Sequence, residues 1–364
     1  MDVRLLGTAG PLGWPAEGCG CASCGRLRAA DAGRAPTALL VDGAFRLGEG
    51  RVPAGYQVRP LPGTPSAHDV TGPDGARMLC AAPGPLPGSA LDWVARAGAA
   101  YDLAFLDLVA APEQLGELRR LGAVGPATTV VAVHVDHRAP SPHELDRRLS
   151  FWGAGLVPDG TVVSSADPPV PRPSAPYRVL VLGGARSGKS EEAERRLAGE
   201  PTVTYVAAGG AGAGRPDDPE WRARIAAHRA RRPSGWRTVE TTDLAAVVRE
   251  TGDPLLVDGL GTWLAAVLDE CGAWDTDAPA QATPSQAEAQ VRRRVEELVA
   301  AWRATRRYVV AVTDEVGSGV VPETRSGRRF RDELGGLNQR LAAESEEATL
   351  VVAGRVLPLP PPWP

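Results

Sequence analysis

The sequence predicts an α/β protein in two parts, on three observations. Downstream of residue 177, short β-branched or apolar runs alternate with helical patterns, the alternation that builds a parallel sheet with helices on its faces. One of those runs leads directly into GGARSGKS at 183–190, a glycine-rich turn followed at once by a helical pattern. Between the two parts, SSADPPVPRPSAP carries Pro168, Pro169, Pro171, Pro173 and Pro176 with no apolar period, which reads as an extended linker. The expected organisation is a domain over 1–163, a linker over 164–176 and a second domain over 177–364.

In the second domain the apolar runs predict strands at 178–182, 203–207, 255–258, 308–313 and 349–353. Helices are expected at 189–197, 219–230, 244–250, 262–270, 286–305 and 331–346, where apolar residues recur at helical spacing. Residues 273–285 read as a surface loop, and the tail LPLPPPWP as a proline-rich end that need not fold. Upstream, strands are expected at 3–6, 38–41, 78–81, 103–106 and 129–134, with glycine and proline dense between them. No repeat at solenoid periods is visible.

Composition narrows the function classes. A net charge of -4 gives no reason to expect nucleic acid or an anionic membrane as partner. No run of apolar residues is long enough to span a bilayer, and residues 1–10 lack the pattern of a signal peptide, so a cytoplasmic protein is expected. Three of the five cysteines are packed into Cys19, Cys21 and Cys24, a spacing that suits metal more than a disulfide framework. Cys80 and Cys271 read as incidental. Basic positions are filled almost entirely by arginine, and Lys189 is the only lysine in the chain.

That lysine sits in the glycine-rich turn, which matches G-x-x-x-x-G-K-[ST] through Gly183, Gly188, Lys189 and Ser190. The turn, from Gly183 and Gly184 through Ala185, Arg186 and Ser187, can direct backbone N–H groups at phosphate oxygens, and the helix start adds a positive dipole end. An ammonium fits between phosphates where a planar guanidinium does not, and Ser190 can supply a hydroxyl to Mg²⁺. Asp258 closes a predicted strand, the position from which an acidic residue holds the same ion. These features predict a nucleotide-dependent phosphotransferase of the P-loop type.

His228 lies in DDPEWRARIAAHRARRP, among Arg222, Arg224, Arg229, Arg231 and Arg232. Asp218 can cap this helix, and Trp221, Ile225 and His228 share one face. An imidazole among guanidinium groups can attack a nucleoside triphosphate at its α-phosphorus. From the pattern alone, a core-facing histidine beside a solvated arginine face is the preferred reading.

Over 177–364 the sequence resembles the bifunctional adenosylcobinamide kinase / adenosylcobinamide-phosphate guanylyltransferase family of cobalamin biosynthesis. The resemblance rests on LVLGGARSGKS, PEWRARIAAHRARRPSGWRTVET, LLVDGLGTWL, VTDEVGSGVVPETRSGRRFRDELGGLNQRLA and TLVVAG, in that order. It implies transfer of the terminal phosphoryl of ATP or GTP to adenosylcobinamide, a corrinoid substrate, and then transfer of GMP from GTP through His228. By the same match Ala207, Ala208, Gly209, Arg229, Ala230, Arg231, Arg232, Glu240 and Asp258 would line the nucleotide site, and the protein would be a homo-oligomer, with a trimer as the form the resemblance implies. Two departures stand out: Asp314 where the family usually has asparagine, and Gly259 where it usually has cysteine.

The opening LLGTAGPLGWPAEGCGCASCGRLR and the later VAVHVDHRAPSPHELDRRLSFWGAGLVPDGTVV resemble the two ends of a metallo-β-lactamase fold, with the middle shortened. The resemblance implies a structural zinc site of Cys19, Cys21, Cys24 and His137. His134 would be left over from a catalytic pair. The H-x-H-x-D-H signature is absent, so no hydrolase activity is expected of this half. Two rival readings of the whole remain. A regulatory GTPase would need N-K-x-D, which a chain with one lysine cannot contain outside the phosphate loop. A binding module that has lost its activities would share every motif above.

Overall fold

The computed structural model describes residues 1–209, 232–274 and 286–360, and the chain divides into two compact units, residues 1–173 with 198–201 and residues 174–197 with 202–364. In the first unit β1 (Asp2–Gly7) pairs antiparallel with β2 (Ala38–Val41) and with β10 (Val162–Ser164), and β2 continues to β3 (Phe45–Arg46). A second sheet runs through β4 (Gln57–Leu61), β5 (Thr64–Thr71), β6 (Arg77–Cys80), β7 (Leu103–Leu106), β8 (Thr129–Ala132) and β9 (Ala154–Gly155). It is antiparallel from β4 to β6 and parallel from β6 to β9.

The period of two along each strand decides what each face covers. Val3, Leu5, Leu39, Val41 and Val163 of the first sheet share one core with Val70, Met78, Cys80, Leu103, Phe105 and Val131 of the second. The other face of the second sheet, with Leu79, Ala104, Leu106, Val130 and Ala132, packs against helices. These are α1 (Ala22–Ala29), α2 (Gly88–Ala97), α3 (Glu113–Arg120) and α4 (Pro142–Phe151). Ser141 caps α4, its Oγ accepting the Glu144 N–H at 3.1 Å.

The second unit follows the alternation expected of it: β11 (Tyr177–Gly183), α5 (Lys189–Leu197), β12 (Val203–Ala207), β13 (Trp236–Glu240), α6 (Leu244–Arg249), β14 (Leu255–Asp258), α7 (Leu260–Glu270), α8 (Gln286–Ala304), β15 (Tyr308–Asp314), α9 (Arg325–Ala343), β16 (Glu347–Val352) and β17 (Arg355–Leu359). The sheet order is β13-β12-β14-β15-β11-β16-β17, parallel except for the antiparallel edge strand β17. Helices cover both faces. Val179, Val181, Tyr205, Leu256, Val310 and Val312 pack with Ala193 and Leu197 of α5. Leu180, Leu182, Val206, Leu255, Val257, Val309 and Ala311 pack with α6, α7, α8 and α9.

Two expectations need correction. The tail is not structureless through its whole length: Arg355–Leu359 pairs with β16, in register from Ala348↔Leu359 to Val352↔Arg355. Pro358 is compatible with this because an edge strand leaves one side without partners, so a missing N–H costs little there. The last long helix begins at Arg325 rather than at 331, because the Thr324 hydroxyl accepts the Gly327 N–H at 3.1 Å and caps it. The helix expected over 219–230 and residues 275–285 of the expected loop lie outside the described residues. Among the described residues no helix is long and apolar enough to cross a membrane.

A buried charge network fixes α5 to the sheet. Arg196 is fully buried; its Nε donates to Glu192 at 3.1 Å, and its terminal nitrogens donate to Glu347 at 2.8 and 2.5 Å. Burial alone would lower the guanidinium pKa, but the two carboxylates outweigh it and raise it. Glu347 opens β16, so this network joins the helix that follows the glycine-rich turn to a strand beside β11.

Candidate nucleotide site and cysteine cluster

Parallel pairing brings the carboxyl ends of five strands into one row. Ala207 pairs with Glu240 on one side and Asp258 on the other, Asp258 with Val312, and Asp314 with Gly183. In open parallel sheets this edge is where ligands bind.

The glycine-rich turn connects Gly183, the last residue of β11, to Lys189, the first of α5. Two of its residues take left-handed backbone, Arg186 at φ 57° and Gly188 at φ 97°. The Ser187 carbonyl accepts the Gly354 N–H at 2.8 Å, and the Gly183 carbonyl accepts the Glu315 N–H at 3.2 Å, so the loop is tied down at both ends. A side chain at Gly183 would meet the Val351 carbonyl oxygen at 2.8 Å and the Ser187 hydroxyl. Gly184, Ala185 and Arg186 face solvent, Ser187 is buried, and Gly188, Lys189 and Ser190 are half-buried. This shape leaves the outer rim of the turn accessible to an anion.

Lys189 Nζ lies 3.1 Å from the Gly184 carbonyl and 2.9 Å from Asp314 Oδ1. The Ser190 hydroxyl donates to Asp258 Oδ1 at 3.3 Å. The other oxygen of Asp258 accepts the Tyr205 hydroxyl. Tyr205 is buried; burial first, and then the charge and hydrogen bond of Asp258, hold its phenol above the ordinary range, so it stays a donor. The Arg232 guanidinium stacks 3.3 Å from the centroid of the Tyr205 ring and donates to Thr238 at 3.0 Å. Glu240 is exposed at the end of β13, Ala207 is half-buried, and Ala208 and Gly209 are buried beside it. Gly259 follows Asp258 at φ 92°, a conformation glycine adopts without penalty.

The structure thus brings together Gly183, Gly184, Ala185, Arg186, Ser187, Gly188, Lys189, Ser190 and Asp258, with Ala207 and Glu240 further along the same row. His228, Arg229, Ala230 and Arg231 lie outside the described residues. Sequence reasoning missed Tyr205 and the contact of Asp314 with Lys189. The first had a signal, since a tyrosine in the buried run VTYVA needs a partner for its hydroxyl. The second had none at the level of spacing, because only the register of β11 with β15 places Asp314 next to the loop.

Magnesium chemistry fits the pair Ser190 and Asp258. Neighbouring ligands of an octahedral ion at about 2.1 Å stand about 3 Å apart, and these two oxygens are 3.3 Å apart.

In the first unit, Cys19, Cys21, Cys24 and His137 present ligand atoms all within 4.8 Å of one another. Cys19 Sγ is 3.9 Å from His137 Nδ1, and Cys21 caps α1 by accepting the Cys24 N–H at 3.4 Å. That hydrogen bond is the largest influence lowering the Cys21 thiol pKa, whereas burial raises that of Cys24. His134 stands apart from the cluster. Its Nε2 is 3.0 Å from the Ala81 carbonyl oxygen, its backbone is left-handed at φ 56°, and it lines a cavity of about 480 Å³ with His68 and Cys80.

A parallel sheet whose strand ends gather a glycine-rich loop, a lysine, a serine and an aspartate defines a nucleotide-binding protein of the P-loop class. Residues 179–359 match the family model described as cobinamide kinase / cobinamide phosphate guanyltransferase, and the chain belongs to that family. It is 38% identical over 185 residues to the bifunctional adenosylcobalamin biosynthesis protein CobU of Salmonella typhimurium, covering 48% of this chain and 96% of that protein. To the protein of the same name from Escherichia coli it is 37% identical, with 48% and 96% covered. To the bifunctional adenosylcobalamin biosynthesis protein CobP of Pseudomonas aeruginosa it is 43% identical over 188 residues, with 50% and 96% covered.

Proposed function

We propose that the second unit phosphorylates adenosylcobinamide and then guanylylates the product, in the cytoplasm, as one step in making a cobalamin. The observation that carries this reading is the phosphate loop, with Lys189, Ser190 and Asp258 assembled on a fold whose family carries that pair of activities by name. In the first reaction the loop amides and Lys189 hold the outer phosphates of ATP or GTP, while the acceptor hydroxyl displaces the nucleoside diphosphate from the γ-phosphorus. Magnesium, held by Ser190 and Asp258, would supply charge neutralisation on the transferred group. In the second reaction the His228 imidazole attacks the α-phosphorus of GTP, pyrophosphate leaves, and the phosphate of the first product displaces the histidine to give adenosylcobinamide-GDP. The role of His228 rests on the resemblance of its segment to the family motif. Arg232, stacked on Tyr205 at the sheet edge, supports an electropositive approach to the same row.

Incubation with labelled GTP tests the scheme. A covalent GMP adduct should form on the wild-type chain and be absent from His228→Ala, which should retain phosphorylation of adenosylcobinamide. An adduct of equal yield on both proteins removes His228 from the mechanism. A wild-type chain that binds GTP without turnover of either kind would favour the decayed binding module. Light scattering would decide whether the protein is the homo-oligomer, of trimeric form, that the resemblance implies.

For the first unit we propose a degenerate metallo-β-lactamase-like fold carrying a structural zinc. Two sheets sharing one core, with helices on the outer face of one of them, support the fold. For the metal, four ligands around a tetrahedral ion with Zn–S bonds of about 2.3 Å would lie roughly 3.8 Å apart, a spacing the cluster accommodates. Elemental analysis of the purified chain should find about one zinc, lost in Cys19→Ser with Cys21→Ser. Zinc absent from native and reconstituted protein alike removes the proposal.

A further inference from the structure

Lys189 already has a counter-ion. Its ammonium lies 2.9 Å from Asp314 Oδ1, with 15% of the lysine side chain and 41% of the aspartate side chain exposed. The carboxylate sits at the carboxyl end of β15, in register with Gly183, the residue from which the loop departs. On its other side it is hemmed in. A side chain at Gly261 would come within 2.8 Å of Asp314 Oδ2 and 3.5 Å of Phe330, so glycine at that position is what lets α7 approach the carboxylate. The backbone behind it is fixed as well. Asn338 donates to the Asp314 carbonyl at 3.0 Å and accepts from Thr313 at 2.7 Å. Asp314 is therefore a positioned charge at the rim of the phosphate loop.

We propose that Asp314 sets the nucleotide affinity of the loop by competing with phosphate for Lys189. The carboxylate and the Gly184 carbonyl hold the ammonium across the loop. A phosphate entering the loop needs that ammonium, and it also meets the negative charge of Asp314. Binding therefore includes an exchange of one anionic partner of Lys189 for another, and the nucleotide binds more weakly than the loop alone would allow. Asp258, at the end of the neighbouring strand, does not share this role, because it is directed at Ser190 and Tyr205 instead. Asp314 acts through Lys189 and is a positioning residue. Weaker holding suits a site that must release a nucleotide after each of two reactions. The inference rests on the reading of this loop as the nucleotide site.

The chain's single lysine makes the exchange directly visible. Protein grown on lysine labelled with carbon-13 and nitrogen-15 gives one lysine side-chain signal, that of Lys189, without chemical modification. Calorimetry with Mg·GTP and with pyrophosphate supplies the affinities. For Asp314→Asn, which keeps the shape and removes the charge, the affinity for both ligands should rise about threefold to tenfold. Asp314→Glu, which keeps the charge, should stay near wild type. The Lys189 signal of the empty protein should move in Asp314→Asn, and the wild-type and variant signals should converge once Mg·GTP is saturating. Affinities of wild type and Asp314→Asn within twofold of each other, or a weaker variant, would overturn the proposal while leaving the nucleotide site intact. A wild-type chain that binds neither Mg·GTP nor pyrophosphate would instead overturn the nucleotide reading, and this inference with it.

Discussion

Replacing Arg196 by methionine keeps an unbranched apolar stem and removes the guanidinium from a position with no exposure to solvent. Glu192, 1% exposed, then loses the donor at 3.1 Å but keeps Arg195 at 3.2 Å. Glu347, 25% exposed, loses donors at 2.8 and 2.5 Å and keeps the Tyr177 hydroxyl at 3.1 Å. Breaking a buried pair from one side costs about 3–5 kcal/mol, because the orphaned carboxylate stays desolvated. The partners that remain put this case near the lower figure. For a unit of this size each kcal/mol lowers Tm by about 2–4 °C, so a fall of roughly 6–12 °C is expected. Calorimetry of the full chain reads it, and the transition of the second unit is recognised by its rise with Mg·GTP. Arg196→Met combined with Glu192→Leu should recover part of the loss, since the buried carboxylate is removed with its partner. A Tm lowered by less than about 2 °C in the single variant would refute the assignment of this network as the anchor of α5.

Other outcomes follow from the same geometry. Gly183→Ala should weaken Mg·GTP binding at least about tenfold, because the new methyl group meets the Val351 carbonyl oxygen and the Ser187 hydroxyl; calorimetry giving an unchanged Kd would show that the turn tolerates the shift. Asp258→Asn should reduce phosphoryl transfer on the order of a hundredfold and raise the Mg²⁺ concentration needed for half-maximal rate, which a magnesium titration of turnover measures. Glu144 gives a pH dependence. Burial raises its pKa, but Arg147 and then Arg148 outweigh this and bring it from the usual 4.5 to about 2. A depressed folded value means the stabilisation is complete above about pH 4.5 and is lost as pH falls toward 2. With these groups partly solvated it amounts to about 1 kcal/mol, and urea midpoints of Glu144→Gln should show a flatter acid limb than wild type.

The sheet of the second unit was legible where strands are buried on both faces. Runs such as RVLVL and YVVAV must be apolar throughout because helices cover both sides, and β11, β12, β14, β15 and β16 were all anticipated. The two outer strands were not. β13, WRTVE, is half-buried or exposed along its length, and β17 carries a proline, so neither shows a core pattern. In the first unit the hairpin of β4 and β5 escaped for a similar reason: Pro60, Pro62, Gly63 and Pro65 surround its turn and mask the strand signal. The phosphate loop could be read because its chemistry is contiguous in sequence. The pairing of Lys189 with Asp314 could not, since it is created by the register of strands far apart in the chain, and Tyr205 could be reached only through its need for a hydrogen-bond acceptor.

The order of strands also bears on how the molecule comes into being. β11 ends at residue 183, yet its neighbours in the sheet begin at residues 308 and 347. During synthesis the ribbon that carries the phosphate loop leaves the ribosome before both of its neighbours and must wait, with one hydrogen-bonding edge bare until β15 and the other until β16 has been made. Such long-range closure is slow and leaves an apolar segment open to wrong partners in the interval. Nucleotide therefore cannot guide the early nascent chain; it can stabilise only a sheet in which the neighbours of β11 are already in place.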